Sequence, residues 1–422
     1  MIPFDLAYLS LAVLLLPYFL YRRIKGKQSA PWAAKMGHGA AREAGRKRIW
    51  IHAVSVGEAT AAEPLIKALQ AAWPDADFVV STTTVTGHAV AEKRYGARHV
   101  DWYPHDFSWT VKRFLDRIQP SIAVLMELEV WPNMTAECVA RGIPILVVNG
   151  RITARSAKRY KQGWRIIGGA FRRATRWLAQ TDEYAERLKA LGVDAAKIDV
   201  TGNIKYDAVD TAPPDPAQRS ALRTELGIAD DARVIIGGST HPTEERALID
   251  AYKQLKATTV PGARLILVPR HPERFNAVAD EISASGLVCE RRSAAQRNSE
   301  DAVILVDLMG ELKRMYAAAD VAFVGGSLIP HGGQNVMEPC GMGVPVVHGP
   351  AMFNFNEAIE ILRGCDGSIE VTRETLAPSL ERLLTHPADA LAMATRAREA
   401  FLKKQGATAR AVEAIRTLCD FR

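Results

Sequence analysis

After residue 48 the chain alternates short runs dense in Val, Ile and Leu with longer stretches whose apolar residues recur every three or four positions. The runs at residues 49–56, 78–84, 99–103, 122–128, 144–149 and 198–203 are rich in β-branched and aromatic side chains and predict strands. Residues 59–72 and 110–118, between them, predict helices. Strands of this apolar density, each followed by a helix, predict a parallel sheet covered on both faces. The pattern breaks at residues 212–216, where three prolines continue neither element. It then restarts, with strands predicted at residues 234–240, 264–269, 302–307, 321–326 and 344–349. The expected fold class is α/β, with two successive Rossmann-like domains facing a cleft.

The first 27 residues read differently. Residues 6–21 carry no charge, and Arg22, Arg23, Lys25 and Lys27 follow at once. As a helix this run spans about 24 Å, slightly less than the roughly 30 Å hydrocarbon core of a bilayer. No basic segment precedes it and no small-residue cleavage site follows, which argues against a secretory signal. The expectation is an N-terminal membrane-anchoring helix, spanning the bilayer or lying in its interface, with the body of the protein cytoplasmic by the positive-inside rule. A buried core helix is the competing reading. The expected division is therefore an anchor at 1–27, an N-terminal domain at 28–211 and a C-terminal domain at 212–422.

Charge sharpens this picture. The net charge is +7, and the first 50 residues, with nine Lys/Arg against two acids, hold all of it. A local surplus argues for one anchored surface and against nucleic-acid binding over the whole protein. The 48% apolar content excludes disorder. Five scattered cysteines without a CxxC pair read as reduced thiols, and no metal site and no cofactor are expected.

Neither half has a GxGxxG loop after its first strand. That strand runs instead into Ser55-Val56-Gly57-Glu58, which puts a carboxylate at a helix start beyond a strand end. This is an active-site location in open α/β sheets, so Glu58 is either a general base or a first-turn capping residue. Glu127 and Glu129 close the fourth run and share a face if the strand continues that far. Residues 151–181 hold nine basic residues and no acid, with Tyr160, Trp164, Ile167 and Phe171 at helical spacing. They predict a basic amphipathic helix, suited to lipid phosphates or to packing its stripe on the core. Lys205 follows the last strand of the first half.

In the second half, Ser239-Thr240-His241, Pro269-Arg270-His271 and Gly325-Gly326-Ser327 each end a strand, and Met309-Gly310-Glu311 opens a helix. Glycines let backbone N–H groups approach a phosphate, and Arg can bridge its oxygens. Asn335 and Glu338, one helical turn apart, share a face that suits two ribose hydroxyls. Asp75-Ala76-Asp77 reads as a turn on the wrong side of the sheet. His52, His88, His105 and His348 read as structural.

As an ordered set, these motifs resemble the 3-deoxy-D-manno-octulosonic acid (Kdo) transferases of lipopolysaccharide biosynthesis, along essentially the whole chain. The resemblance implies a GT-B glycosyltransferase with a CMP-Kdo donor and a lipid A precursor (lipid IVA) as acceptor. It implies work at the cytoplasmic face of the cell inner membrane, in contact with inner-membrane lipids, by a metal-independent inverting displacement. By that likeness Glu58 matches the general base, and Glu127 and Lys205 match residues that stabilise the transition state. Pro269, Arg270, Met309, Gly310, Glu311, Asn335, Val336, Met337 and Glu338 match the CMP site. Two positions depart from the family pattern: Thr243 stands where Gly is common before the paired acids Glu244 and Glu245, and Thr153 where Ser is common. A nucleotide-sugar epimerase with the same two-domain plan and a non-enzymatic anchored scaffold are the alternatives.

Overall fold

The computed structural model describes residues 4–6, 8–10, 14, 29–209, 211–294, 302–419 and 421. The chain forms two compact units: Met1–Ala208 together with Lys404–Arg422, and Val209–Lys403. The last segment, which a division at residue 212 gives to the second domain, belongs to the first.

The first unit holds a seven-stranded sheet of β1 (Arg48–His52), β2 (Asp77–Thr82), β3 (Val100–Trp102), β4 (Ile122–Met126), β5 (Ile145–Gly150), β6 (Arg176–Ala179) and β7 (Ile198–Val200). Their order is β3-β2-β1-β4-β5-β6-β7, and the pairings are parallel. Successive residues point to opposite faces, as a strand's period of two requires. Ile49, Ile51, Val124, Met126, Leu146 and Val148 pack on one side. Trp50, Ala123, Leu125, Ile145 and Val147 pack on the other. The C-terminal helix Ala407–Leu418 lays Ala411 and Ile415 into the first of these cores beside Leu65 and Leu69.

The second unit repeats the plan with β8 (Arg233–Thr240), β9 (Ala263–Pro269), β10 (Cys289–Arg291), β11 (Val303–Leu305), β12 (Val321–Val324), β13 (Val346–His348) and β14 (Ile369–Glu370). Their order is β10-β11-β9-β8-β12-β13-β14, again parallel.

Residues 151–181 are not one helix. They form the helices Ala154–Gln162 and Trp164–Arg173 and then β6. Gly163 separates the two helices, and Trp177 and Leu178 are buried as sheet residues. The strand is only four residues long, too short for a period of two to stand out against the helical repeat before it.

The expected anchor lies mostly outside the described residues. Of its surroundings, the Asp5 carboxylate accepts from Ser108 N (2.8 Å), Ser108 Oγ (2.6 Å) and Asn133 Nδ2 (2.9 Å), so this part of the chain docks on the first unit. Among the described residues no helix is long and apolar enough to cross a membrane.

Candidate active site

In each unit the chain first lays its early strands on one side of its first strand, then returns to pair on that strand's other side. The reversal falls between β1 and β4 in the first unit and between β8 and β12 in the second. Loops leaving the C-terminal ends of such strands diverge, and open α/β sheets bind ligands there.

Glu58 follows β1. Ser55 caps the helix Val56–Ala61, its Oγ accepting from Glu58 N. The Glu58 carboxylate turns back and accepts from Val54 N (2.7 Å) and Ser55 Oγ (3.0 Å). Burial nevertheless pushes this carboxyl up to about 7, with Glu129 and Glu127 adding like-charge repulsion against the two hydrogen bonds. Both partners follow β4, the strand across the reversal. β4 ends at Met126, and Glu127 has a left-handed backbone (φ 58°), so the two acids do not share a face of a continuing strand. Burial also raises the Glu127 carboxyl, opposed by Arg151, and raises that of Glu129, opposed by a hydrogen bond from Trp131 Nε1 (3.0 Å). The result is a cluster of carboxyl groups in which Glu58 is poised to exchange a proton near neutrality.

Lys205 lies in a 3-10 turn, Ile204–Tyr206, after β7. That turn is drawn back over β5 and β6 by buried amides that sequence reasoning missed. Asn149 Oδ1 accepts from Ile204 N (3.1 Å), Gln180 Nε2 donates to Asn149 O (2.9 Å), and Asn203 Nδ2 donates to Gln180 Oε1 (3.2 Å). The only hint in the sequence is that each amide ends an apolar run.

In the second unit, β11, β9, β8 and β12 are consecutive in the sheet. Met309-Gly310-Glu311, Pro269-Arg270, His241 and the segment from Gly325 to Glu338 therefore line one edge of it. Arg270 is exposed, and its backbone N donates to Thr240 O (3.0 Å). Asn335 Nδ2 donates to Glu338 Oε1 (2.9 Å), which confirms their common face, and Asn335 Oδ1 caps Met337 N (3.1 Å).

The glycine loop after β12 does not offer its N–H groups to a phosphate. Fully buried Glu244 already accepts from Gly326 N (2.7 Å), Ser327 N (2.9 Å), Leu328 N (2.9 Å) and His241 N (3.0 Å). Its neighbour Glu245 receives a two-point contact from Arg274. Thr243, one of the departures noted above, has φ 78°, a left-handed backbone in which glycine is at ease and a β-branched residue is strained.

His52 is fully buried against Ser81 Oγ (2.8 Å), and burial lowers its imidazole to about 3, as a structural histidine requires. Asp77 begins β2 and pairs with buried Arg48 (2.7 Å).

The sequence model described as 3-Deoxy-D-manno-octulosonic-acid transferase (kdotransferase) matches residues 30–208. A 3-deoxy-D-manno-octulosonic acid transferase of Haemophilus influenzae is 36% identical over 372 residues, covering 87% of this chain and 86% of that protein. One of Bordetella pertussis is 39% identical over 384 residues, with the same coverage. A crystal structure of UDP-GlcNAc 2-epimerase from Neisseria meningitidis is 14% identical and superposes with a TM-score of 0.54, over 88% of this chain and 100% of that one. That likeness is one of fold alone, and it leaves the sequence relatives to decide between transferase and epimerase. With a third or more of its residues identical over most of their length, the chain belongs to the 3-deoxy-D-manno-octulosonic acid transferase family and is a glycosyltransferase.

Proposed function

We propose that the protein transfers Kdo from CMP-Kdo to a lipid A precursor by a single inverting displacement. The observation that carries this reading is the Glu58 carboxyl, at the β1–β4 reversal, held near 7 by burial and two acidic neighbours. As a carboxylate, Glu58 removes the proton of an acceptor hydroxyl. The hydroxyl oxygen forms a bond to the anomeric carbon of Kdo while that carbon's bond to the phosphate oxygen breaks, and CMP leaves with the electron pair. Glu127 and Lys205 are assigned to the charge that shifts in this transition state. Arg270, next to Pro269, meets the growing phosphate charge. Glu338, braced by Asn335, accepts from ribose hydroxyls, with Val336 and Met337 in the same turn, and Met309, Gly310 and Glu311 flank the nucleotide.

Membrane lipids are the proposed surroundings. Arg151, Arg155, Lys158, Arg159, Lys161 and Arg165 are all exposed, and Ile166 beside them is 66% exposed. A cationic face with an apolar tip suits anionic headgroups at the cytoplasmic side of an inner membrane, with residues 1–27 as a second attachment.

The test is incubation with CMP-Kdo and lipid A precursor, with product mass read out. Each added Kdo appears as one discrete mass step, and its formation requires both substrates. CMP release that does not depend on the lipid overturns the reading.

A further inference from the structure

Three histidines of the second unit meet where its strand order reverses. His241 follows β8, His271 follows β9 and His331 follows β12. The ring of His241 lies 4.1 Å from that of His331 and 5.4 Å from that of His271, centroid to centroid. His331 did not figure among the candidates drawn from the sequence.

The arrangement is built rather than accidental. Gly326 (φ 68°) presents a bare Cα beneath it, and a Cβ there would lie 3.2 Å from the His331 ring, 3.4 Å from the His241 ring and 3.5 Å from Gln334 Cγ. Asn354 fixes the His331 loop from outside, its Nδ2 donating to His331 O (3.1 Å) and its backbone N to Gly332 O (3.0 Å). At Gly332 (φ 102°) a side chain would collide with Asn354. Gln334 Nε2 donates to His241 Nε2 (3.1 Å), which leaves the proton of the neutral ring on Nδ1. β8 itself is irregular at this point: its pairing with β9 shifts between Gly238 and Thr240, and Ser239 takes a left-handed backbone (φ 53°). A bulge of this kind re-aims the side chains that follow it.

The electrostatics are one-sided. Burial lowers the His241 imidazole to about 4, and His331, His271, Arg274 and Arg270 push it further in the same direction. Two of the carboxylates nearby are engaged elsewhere. Glu244 serves four backbone N–H groups and Glu245 is taken by Arg274, while Glu273 stands 3.6 Å from His271 Nδ1. Among the described residues no group of three His, Cys, Asp or Glu side chains could hold a metal ion, so these rings do not form a metal site. A concentration of N–H donors and guanidinium groups, with Glu273 the carboxylate against one ring, fits an anionic ligand.

We propose that His241, His271 and His331 bind the carboxylate of the donor sugar and so distinguish CMP-Kdo from CMP. The assignment rests on the donor reading above. In that donor one carbon bears both the bond to phosphate and the carboxylate, so a site for the carboxylate must adjoin the site for the phosphate. The histidines share loops with the residues assigned to the nucleotide: His271 follows Arg270 after β9, His331 and Asn335 follow β12, and His241 follows β8 between those strands. The His241 imidazole, kept neutral by burial, donates from Nδ1 without fixing a further full charge beside the departing phosphate, and the rings of His271 and His331 add N–H donors. Gln334, next to Asn335 in sequence, couples the two sites by holding the His241 tautomer.

The test measures the KM for CMP-Kdo and the inhibition constant of CMP on the full-length protein, for the unaltered chain and for His331→Gln and His271→Gln. His331 is exposed and His271 half-buried, so both variants keep the fold. The expected result is a rise of about tenfold or more in KM for CMP-Kdo in each variant, with the CMP inhibition constant changed less than twofold. Equal weakening of CMP and CMP-Kdo overturns the proposal and makes the cluster a phosphate site. No change in either constant overturns it as well. If the unaltered protein binds CMP but shows no saturable use of CMP-Kdo, the donor reading itself fails and takes this assignment with it.

Discussion

In the proposed mechanism Glu58 trades stability for function. Its carboxyl ionises near 7 in the folded protein against 4.5 for an ordinary Glu. The folded state therefore binds the extra proton between these values, and stability falls as pH rises from about 4.5 to about 7. Glu58→Gln removes that loss. It is expected to raise stability above pH 7 by about 1–3 kcal/mol in urea titrations and to lower turnover about 10²–10⁴-fold. The unaltered protein should show an ascending limb in kcat/KM centred near pH 7, and a rate that is flat from pH 5 to 8 rules out Glu58 as the base. Glu244 is the opposite case, buried for structure alone. Its loss in Glu244→Ala leaves four backbone donors without an acceptor and is expected to cost about 3–5 kcal/mol, read by chemical denaturation. Thr243→Gly, which relieves the left-handed strain beside it, is expected to add about 1 kcal/mol in the same assay.

At the scale of elements, the pair of basic helices makes a separable prediction. Changing Arg155, Lys158 and Arg165 to Gln removes three exposed charges, each worth about 1 kcal/mol at an anionic surface. Co-sedimentation with anionic vesicles should weaken about 10²-fold and lose much of its salt dependence, while turnover on a detergent-dispersed acceptor stays within a fewfold. Most strands of both sheets were legible because buried parallel strands are nearly continuous in apolar residues, as in β4 and β5. β6, β10 and β14 were not: β6 follows a helical repeat that hides its four residues, and the polar residues of β10 and β14 leave no apolar run. Glu58 and the Asn335–Glu338 turn could be picked out because their types and spacing imply chemistry. The histidine cluster could not. His241, His271 and His331 converge only because of the order of the strands that precede them, which no local pattern reveals. The expectation that the Gly325-Gly326-Ser327 loop would serve a phosphate failed for a related reason. Glu244 claims those N–H groups from 82 to 84 residues away.

For the whole molecule, the division into units cuts across chain order. The helix Ala407–Leu418 fills the first unit's core with Ala407, Ala411, Val412, Ala414 and Ile415. It is held there from Asp207, which accepts from Gly406 N (2.6 Å) and from Thr408 N, and by Arg410 Nε donating to Thr201 O (3.0 Å). Deleting residues 404–422 is expected to unfold the first unit and abolish transfer, while the second unit retains CMP binding by calorimetry. Loss of both together would mean that the units do not fold independently.

That returning helix also sets a timetable. A ribosome finishes residues 209–403 before it makes the piece that seals the unit built by the residues ahead of them. The newborn N-terminal half must wait, its apolar flank uncovered, until residues 407–418 emerge, and holdase chaperones have that whole interval in which to engage it.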